Sequence, residues 1–299
     1  MVYDRRDGIQ YRALVGSDTF TIAGLEIPGQ DFLEATEADA YMFIPWEEAF
    51  DGILGLGLDD KSSVADLKGV FTNMAEKGVL DRNIISILIG RDWTAEGLIP
   101  GRIEFGGINE DLILPNTTMT FLPVSNNTGP YLDGAWRVSA ESVSFSWLNK
   151  TSGETENINA VLPEDSTARF DTLDRSLSLP SVIADKLWDI AKPTRRTWSG
   201  FYEVDCHRMD DMPDLEFVLG GHTFLISSDD YIMPVLSLGE LRCVWEVYGN
   251  DLGLLFLGLP FMRGHYVALD RDERTVGLAV PSWRERLPRP CEPWPGCRH

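Results

Sequence analysis

The pattern of apolar and polar positions along the chain predicts a protein built mainly from β-strands. Short segments that alternate in polarity and are rich in Val, Ile, Phe and Thr follow one another, each bounded by Gly, Pro, Asn or Asp. Helical spacing is found over about 64–77, where Gly78 ends the pattern, and over about 181–191, where Ser181 is the expected cap. The sequence therefore predicts an all-β fold in which a few helices connect the sheets. The clearest strand segments are residues 19–27, 101–109, 118–124, 136–147, 215–221 and 265–280.

Two related apolar motifs indicate that this fold has two halves. Residues 50–57 read FDGILGLG and residues 255–261 read LFLGLPF, and in both an apolar pair ends in Gly, where a strand stops. An internal echo of this kind predicts two related lobes. The stretch between them that is rich in Pro, Asn, Thr and Gly is the expected connection. We therefore expect a partial N-terminal lobe over 1–108, a connection over 109–134, and a C-terminal lobe with a tail over 135–299.

Composition and charge narrow the classes of partner. The 299 residues include 47 Asp and Glu against 26 Lys and Arg, a formal net charge of −21, so most of the surface should repel nucleic acid and anionic membranes. No apolar run approaches the roughly 20 residues of a membrane span, and the opening residues contain no apolar core of a secretory signal. We expect neither a nucleic-acid partner nor a membrane span, and no signal peptide in this chain.

Cysteine, histidine and glycosylation motifs bear on the compartment and on metal binding. None of the four cysteines has CxxC spacing and the four histidines are scattered, so the sequence predicts no metal site and no cofactor. No GxSxG motif is present, which argues against a serine hydrolase. Three sequons lie in turn-rich stretches, and they predict a glycosylated protein that is secreted or vacuolar. Their acceptors are Asn116, Asn126 and Asn149.

A larger set of motifs occurs in a fixed order along the chain. The motifs and their order resemble those of the pepsin-like (A1) aspartic peptidases of fungi, and the resemblance covers about residues 10–282. The motifs that carry the resemblance are FDGILGLG at 50–57, GRIEFGGIN at 101–109, WRVSAESV at 136–143, ARFDTLDRSLSLP at 168–180, the region 204–232, and FLGLPFMRGHYVALDRDERTVGLA at 256–279.

The resemblance implies a bilobal β fold with a cleft that takes a peptide or protein substrate, and here an N-terminal lobe that lacks its first strands. Each lobe of the family contributes one Asp from a D-T/S-G loop, cradled by an apolar-apolar-Gly element. Two such carboxylates share one proton in acid, so one acts as base on a water while the other acts as acid. The resemblance also implies a monomer without a cofactor and a disulfide between Cys206 and Cys243. It offers no counterpart for Cys291 and Cys297.

Carried over by position, Asp171 is the catalytic Asp of the second lobe, and it is followed by a substrate-binding loop. The hairpin that closes over the cleft, called the flap, is expected near the start of the chain, with Tyr3 preferred over Tyr11 as its tyrosine. The expected substrate-binding residues are Thr172, Leu173, Asp174, Tyr3, Asp7 and Gly8.

Both catalytic motifs depart from the family pattern. None of the first 49 residues belongs to a D-T/S-G motif, so the first catalytic Asp is absent from this chain. In the second loop Leu173 stands where the family has Gly, which predicts backbone strain, and Arg175 is placed to pair with Asp171.

The functional alternatives therefore stay open. The first is an aspartic endopeptidase that acts in acid in its complete form, with this chain weak or inactive. The second is a pseudo-peptidase that binds peptides or a protein partner in the cleft. A third alternative is a homodimer that brings two Asp171 loops together. Asp171 could also have a purely structural role, as a turn residue that caps local amides.

Overall fold

The computed structural model describes residues 2–6, 9–38, 52–58, 67–91, 99–126, 134–196, 201–237, 240–251 and 254–286. The described residues form two compact units: one within 1–84, 105–107 and 126–136, the other within 85–104, 108–125 and 137–299. Strands dominate both, and the predicted all-β class is confirmed. The division of the chain at 109–134 stays a prediction.

In the first unit, strands β1 (Val2–Arg6), β2 (Ile9–Ile22) and β3 (Leu25–Ala38) form an antiparallel sheet. A turn at Ala23 and Gly24, both with positive φ, joins the two long strands. Ile27 packs with residues of helix α1 (Val70–Glu76). The predicted helix is shorter than expected, since residues 67–69 are not helical, but it ends as expected before Gly78, whose φ is +62°.

The second unit contains the remaining strands, apart from the end residues Ile84 and Phe105, which belong to the first unit. These strands are β4 (Ile84–Leu88), β5 (Arg102–Phe105), β6 (Thr120–Pro123), β7 (Arg137–Leu148), β8 (Thr155–Val161), β9 (Thr167–Phe170), β10 (Leu177–Pro180), β11 (Arg195–Arg196), β12 (Tyr202–Val204), β13 (Leu215–Leu219), β14 (His222–Ile226), β15 (Ile232–Ser237), β16 (Glu240–Trp245), β17 (Val247–Asn250), β18 (Leu254–Leu257), β19 (Tyr266–Asp270) and β20 (Thr275–Ala279). Their helices are α2 (Ser181–Ala191), α3 (Ser228–Tyr231) and α4 (Leu259–Arg263).

Three sheets organise these strands. The largest has eight strands in the order β14-β13-β7-β9-β18-β10-β17, with β8 paired to β7. A four-stranded sheet has the order β11-β12-β16-β15, and a five-stranded sheet has the order β5-β4-β19-β20-β6. In the core, Phe261 makes edge contacts with the rings of Phe170 and Phe217 and so packs α4 against the large sheet.

Helix α2 occupies the predicted range, but its cap differs from the prediction. Pro180 is at the N-cap position and Ser181 is the first helical residue, so the expected Ser181 side-chain cap is wrong. The backbone N–H of Ser181 instead donates to Oδ1 of Asp251, 3.3 Å away, which lies just after β17. Among the described residues, no helix combines the length and apolar character that a membrane crossing requires.

Candidate active site

The loop that contains Asp171 connects two strands that flank a third strand from a distant part of the chain. Strand β18 pairs parallel with β9 and antiparallel with β10, so it lies between them. At its end the carbonyl of Leu257 accepts from the N–H of Asp171 at 3.4 Å. The end of β9 therefore presents Asp171 beside the Leu257-Gly258 element.

Gly258 fixes the path of this loop because there is no room for a side chain. A Cβ at that position would lie 2.3 Å from the carbonyl oxygens of Asp174 and of Ser176. The next residue, Leu259, donates its N–H to the Asp174 carbonyl at 2.8 Å. The backbone of residues 171–176 thus lies directly against Gly258, which is the cradle expected from the resemblance.

The carboxylate of Asp171 has two partners, one for each oxygen. Its Oδ1 accepts from the backbone N–H of Leu173 at 3.0 Å, an Asx turn, and its Oδ2 accepts from Nη2 of Arg169 at 2.6 Å. The side chains of Asp171 and Arg169 are 23% and 30% exposed. The purely structural role of Asp171, as a cap of local amides, therefore accounts for one of its oxygens, and an ion pair occupies the other.

The strain predicted at Leu173 is absent. Among the described residues only Ala23, Asn116, Lys192 and Arg274 combine a side chain with a positive φ, so Leu173 keeps an ordinary backbone. Its side chain points into solvent and is 59% exposed. Leu is accommodated here without backbone strain because its φ is ordinary and its side chain is exposed.

The other residues of the loop have mostly local partners. Oδ1 of Asp174 accepts from the N–H and the hydroxyl of Ser176, at 2.9 and 2.7 Å. Thr172 is exposed. The ion pair of Asp171 is made by Arg169, whereas the guanidinium of Arg175 lies over the ring of Phe201 at 5.3 Å. The structure thus brings four predicted site residues together in one loop: Asp171, Thr172, Leu173 and Asp174.

The predicted flap residues remain a prediction. Tyr3 lies in β1 opposite Arg12, and Tyr11 lies in β2 opposite Asp4 and Ala38. The structure describes the backbone of these two tyrosines and not their side chains. Asp7 and Gly8 lie outside the described residues.

The disulfide implied by the resemblance is present, between Cys206 and Cys243, whose Cα atoms are 5.3 Å apart. Cys291 and Cys297 lie outside the described residues. Within the described parts of the chain, no three His, Cys, Asp or Glu side chains are grouped so that they could hold a metal ion.

The three predicted glycosylation sites differ in their surroundings. Asn116 is exposed in a turn with φ +63°. Asn126 is also exposed. The side chain of Asn149 is occupied, since its Oδ1 accepts from the N–H of Thr151 at 3.0 Å and its Nδ2 donates to Glu156 at 2.9 Å. Asn116 and Asn126 are therefore the more accessible acceptors of the three.

Sequence reasoning missed a buried group of charges in the second unit, which we call the Asp230 cluster: Arg91, Asp229, Asp230 and Arg284. Both oxygens of Asp230 are paired, one with Arg91 and the other with Nη2 of Arg284 at 2.5 Å. Burial disfavours the charged carboxylate, but the two guanidinium groups outweigh it and lower the pKa of Asp230. Arg91 also lies under the ring of Trp283, 4.5 Å from its centroid.

A second buried pair lies next to this cluster and reaches the Asp171 loop. Nη2 of Arg263 donates to Oε2 of Glu246 at 2.5 Å, and its Nη1 donates to the carbonyl of Asp230. Burial raises the pKa of Glu246 even though Arg263 opposes this shift. The carbonyl of Glu246 accepts from the N–H of Leu177 at 2.8 Å, so the end of the loop is tied to the buried charges.

Comparison with known proteins agrees with this arrangement. The family model for eukaryotic aspartyl protease matches residues 6–280. Vacuolar protease A of Aspergillus fumigatus is 31% identical over 270 residues, which are 89% of this chain and 61% of that protein. Vacuolar aspartic protease of Candida albicans is 30% identical over 89% of this chain and 58% of its own length. Cathepsin D of Canis lupus familiaris is 28% identical over 86% of this chain and 58% of its own length.

The chain thus spans about three fifths of the length of these relatives. The match nevertheless covers the strands β9, β10 and β18 and the loop that they hold. The chain belongs to the eukaryotic aspartyl protease family.

Proposed function

We propose that this chain is part of an aspartic endopeptidase that in its complete form hydrolyses peptide bonds of peptide or protein substrates in acid. Asp171 supplies one of the two carboxylates, and the 299-residue chain itself is weakly active or inactive. One observation carries the proposal: Asp171 leaves β9 beside Leu257 and Gly258, with the loop backbone held against that glycine.

The loop supplies part of what the chemistry needs. The N–H of Leu173 holds Oδ1 of Asp171 and so orients the carboxyl group, and the Asp171 side chain is 23% exposed. Hydrolysis needs a second carboxylate, because one group must take a proton from the water while the other gives one to the scissile amide. No D-T/S-G motif in this sequence supplies that second Asp, so weak or absent turnover is expected.

A pseudo-peptidase that binds peptides without cutting them is the second candidate, and a specific contact favours it. Oδ2 of Asp171 accepts from Nη2 of Arg169 at 2.6 Å, so this oxygen already has a partner. In the two-aspartate mechanism the carboxyl oxygens must bind the attacking water. The Arg169 contact therefore competes with a catalytic water for Asp171.

The relatives and the disulfide also bear on where the protein is located. We place it in the vacuole or outside the cell, because two relatives are named vacuolar proteases and the Cys206–Cys243 disulfide requires an oxidising compartment. We expect a monomer that carries glycans, with Asn116 and Asn126 more accessible than Asn149.

Acid proteolysis tests the proposal. The purified, folded chain is incubated with an unfolded protein substrate, beside Asp171→Asn and a matched control, Asp205→Asn. Asp205 makes the same type of turn, since its Oδ1 accepts from the N–H of His207 at 3.0 Å, but it lies away from the loop. We expect slow cleavage that Asp171→Asn abolishes and Asp205→Asn retains.

The other outcomes are equally informative. Cleavage that persists in Asp171→Asn would remove Asp171 from the mechanism. A folded wild-type chain that binds a peptide but releases no fragments would support the pseudo-peptidase instead.

A further inference from the structure

The second half of the Asp171 loop, residues 171–176, is held by one backbone hydrogen bond on each side. On one side Leu259, the first residue of helix α4, donates its N–H to the carbonyl of Asp174 at 2.8 Å. On the other side Leu177, the first residue of β10, donates its N–H to the carbonyl of Glu246 at 2.8 Å. The loop therefore keeps its place only while α4 and Glu246 keep their separation.

A pair of side chains sets this separation. Arg263 is the last residue of α4, and its Nη2 donates to Oε2 of Glu246 at 2.5 Å. Helix α4 thus contacts the loop at its first residue and Glu246 at its last. The contacts close a ring, which runs from Asp174 through Leu259, α4, Arg263 and Glu246 to Leu177. Within this ring the ion pair is the link that two side chains make, so substitution can remove it while both backbone hydrogen bonds stay available.

The ion pair is buried and has fixed surroundings. Glu246 and Arg263 are 1% and 6% exposed. Nη1 of Arg263 donates to the carbonyl of Asp230, which anchors the guanidinium on a second side. The Glu246 carboxylate also feels the charges of two loop residues, Asp174 and Arg175. Opposite charges that are shielded from solvent attract strongly and are little weakened by salt, so the pair resists a change in the distance that it spans.

We propose that Glu246 and Arg263 are positioning residues whose ion pair holds the Asp171 loop in the conformation that receives a peptide. The inference rests on the proposed peptide-binding function and names the groups that pre-organise its loop. The carboxylate of Asp171 has its own local partners, Leu173 and Arg169, so the pair acts on the backbone of the loop and not on that carboxylate. A loop that is ordered before the peptide arrives loses less conformational freedom on binding.

Hydrogen exchange of single amides, measured by NMR on the full chain without any peptide, tests the inference. The reporters are the N–H groups of Leu177 and Leu259, which make the two backbone hydrogen bonds of the ring. The reference amides are those of β20, a largely buried strand of the five-stranded sheet in the same unit. Local opening of the loop accelerates the reporters alone, whereas a general loss of stability accelerates the reference amides as well.

The test protein is a double variant, Glu246→Met with Arg263→Met, which removes both charges and so leaves neither one buried without its partner. The matched control is Glu203→Met with Arg242→Met. That pair has its Oε1 and Nη1 atoms 3.2 Å apart and joins β12 to β16, outside the ring. A third protein, Arg263→Lys, keeps the positive charge beside Glu246.

We expect both reporter amides to exchange about tenfold faster in the double variant than in the wild type, because one buried charge-assisted contact has been lost. The β20 amides should keep their rates. The control variant should leave the reporters unchanged, and Arg263→Lys should stay within about threefold of the wild type, because Lys keeps the charge but not the planar donor pair.

Three results would overturn the inference: reporter rates that do not change in the double variant, an equal acceleration of the reporters and the β20 amides, or reporters that are already unprotected in the wild type. Each of them leaves the proposed function standing, because the acid proteolysis assay decides that separately. The expected exchange rates in a folded chain that neither binds nor cleaves a peptide would overturn the proposed function and leave the hold of the ion pair on the loop standing. Near-ultraviolet circular dichroism confirms that each variant is folded.

Discussion

Asp230 and Asp171 are both paired with arginines in the second unit, and they differ in almost every other respect. Asp230 is fully buried and both of its oxygens are paired with arginines, whereas Asp171 is 23% exposed and shares one oxygen with a single arginine. The Asp230 cluster joins residues that are 139 positions apart in the chain, whereas Asp171 and Arg169 are two positions apart. The first pairing is buried and holds distant segments together. The second is partly exposed and local, which suits a binding or reacting group.

The largest effect should come from breaking the buried side of this comparison. Asp230→Ala removes the buried carboxylate that pairs with both Arg91 and Arg284 and leaves them only Asp229, which lies 3.2 Å from Arg91 and 3.9 Å from Arg284. The loss of one partner of a buried pair costs about 3–5 kcal/mol. Urea unfolding measures the change in the free energy of unfolding. A loss as small as that of a surface pair would mean that the Asp230 cluster is hydrated and does not hold the unit together.

The protonation of His265 should cost slightly less stability than Asp230→Ala. The ring of this histidine stacks on that of Phe261, with the ring centroids 4.4 Å apart. Burial lowers the pKa of His265 to about 4 from its ordinary 6.5. The unfolded chain takes up the proton first as the pH falls, so stability is lost between pH 6.5 and about 4, by about 3 kcal/mol in total.

The matched variant for this titration is His265→Phe, which keeps an aromatic ring beside Phe261 and Phe224. Urea unfolding at several pH values should show a shallower slope for this variant between pH 6.5 and 4. Parallel curves for the two proteins would place the acid sensitivity elsewhere.

Glu246 should respond less than Asp230, although it is also buried. Burial raises the pKa of Glu246, so its neutral form is less unfavourable, and Glu246→Gln keeps an oxygen that can accept from Arg263. We expect Glu246→Gln to cost about 1–2 kcal/mol. The carboxyl group of Glu246 binds a proton more readily in the folded state than in the unfolded state, because its pKa is raised. Lowering the pH should therefore increase the stability of the wild type relative to Glu246→Gln. A larger loss than that of Asp230→Ala would reverse the ranking.

The smallest effect on stability is expected for the partly exposed aspartate, Asp171. Asp171→Asn removes a partly exposed ion pair, which is worth less than about 1 kcal/mol, and keeps a side-chain oxygen for the N–H of Leu173. The midpoint of urea unfolding should hardly move. A shift like that of Asp230→Ala would show that Asp171 stabilises the fold.

How much the sequence could predict depended on the range of the interactions. Strand segments, the range of helix α2, the stop at Gly78 and the loop around Asp171 follow from local patterns and from family motifs. The helical pattern from residue 64 overestimated α1, because periodicity does not show where packing begins.

Two further errors had a spatial cause. The N–H of Ser181 is satisfied by Asp251, which is 70 positions away, so a local cap was unnecessary. The Asp230 cluster could not be seen, because Arg91 and Arg284 reach Asp230 from distant segments. A capping box at Ser227 and Asp230 was the one local signal in that region, and it pointed to a helix start rather than to buried charge.

The space around Gly258 has a consequence for mutational tolerance. A library that randomises position 173 should return many folded variants, because its side chain already extends into solvent. At position 258 the same library should return almost only glycine, since even a methyl group would meet two carbonyl oxygens at 2.3 Å. The loop is therefore free to exchange the side chains that it presents while its backbone stays where Gly258 holds it.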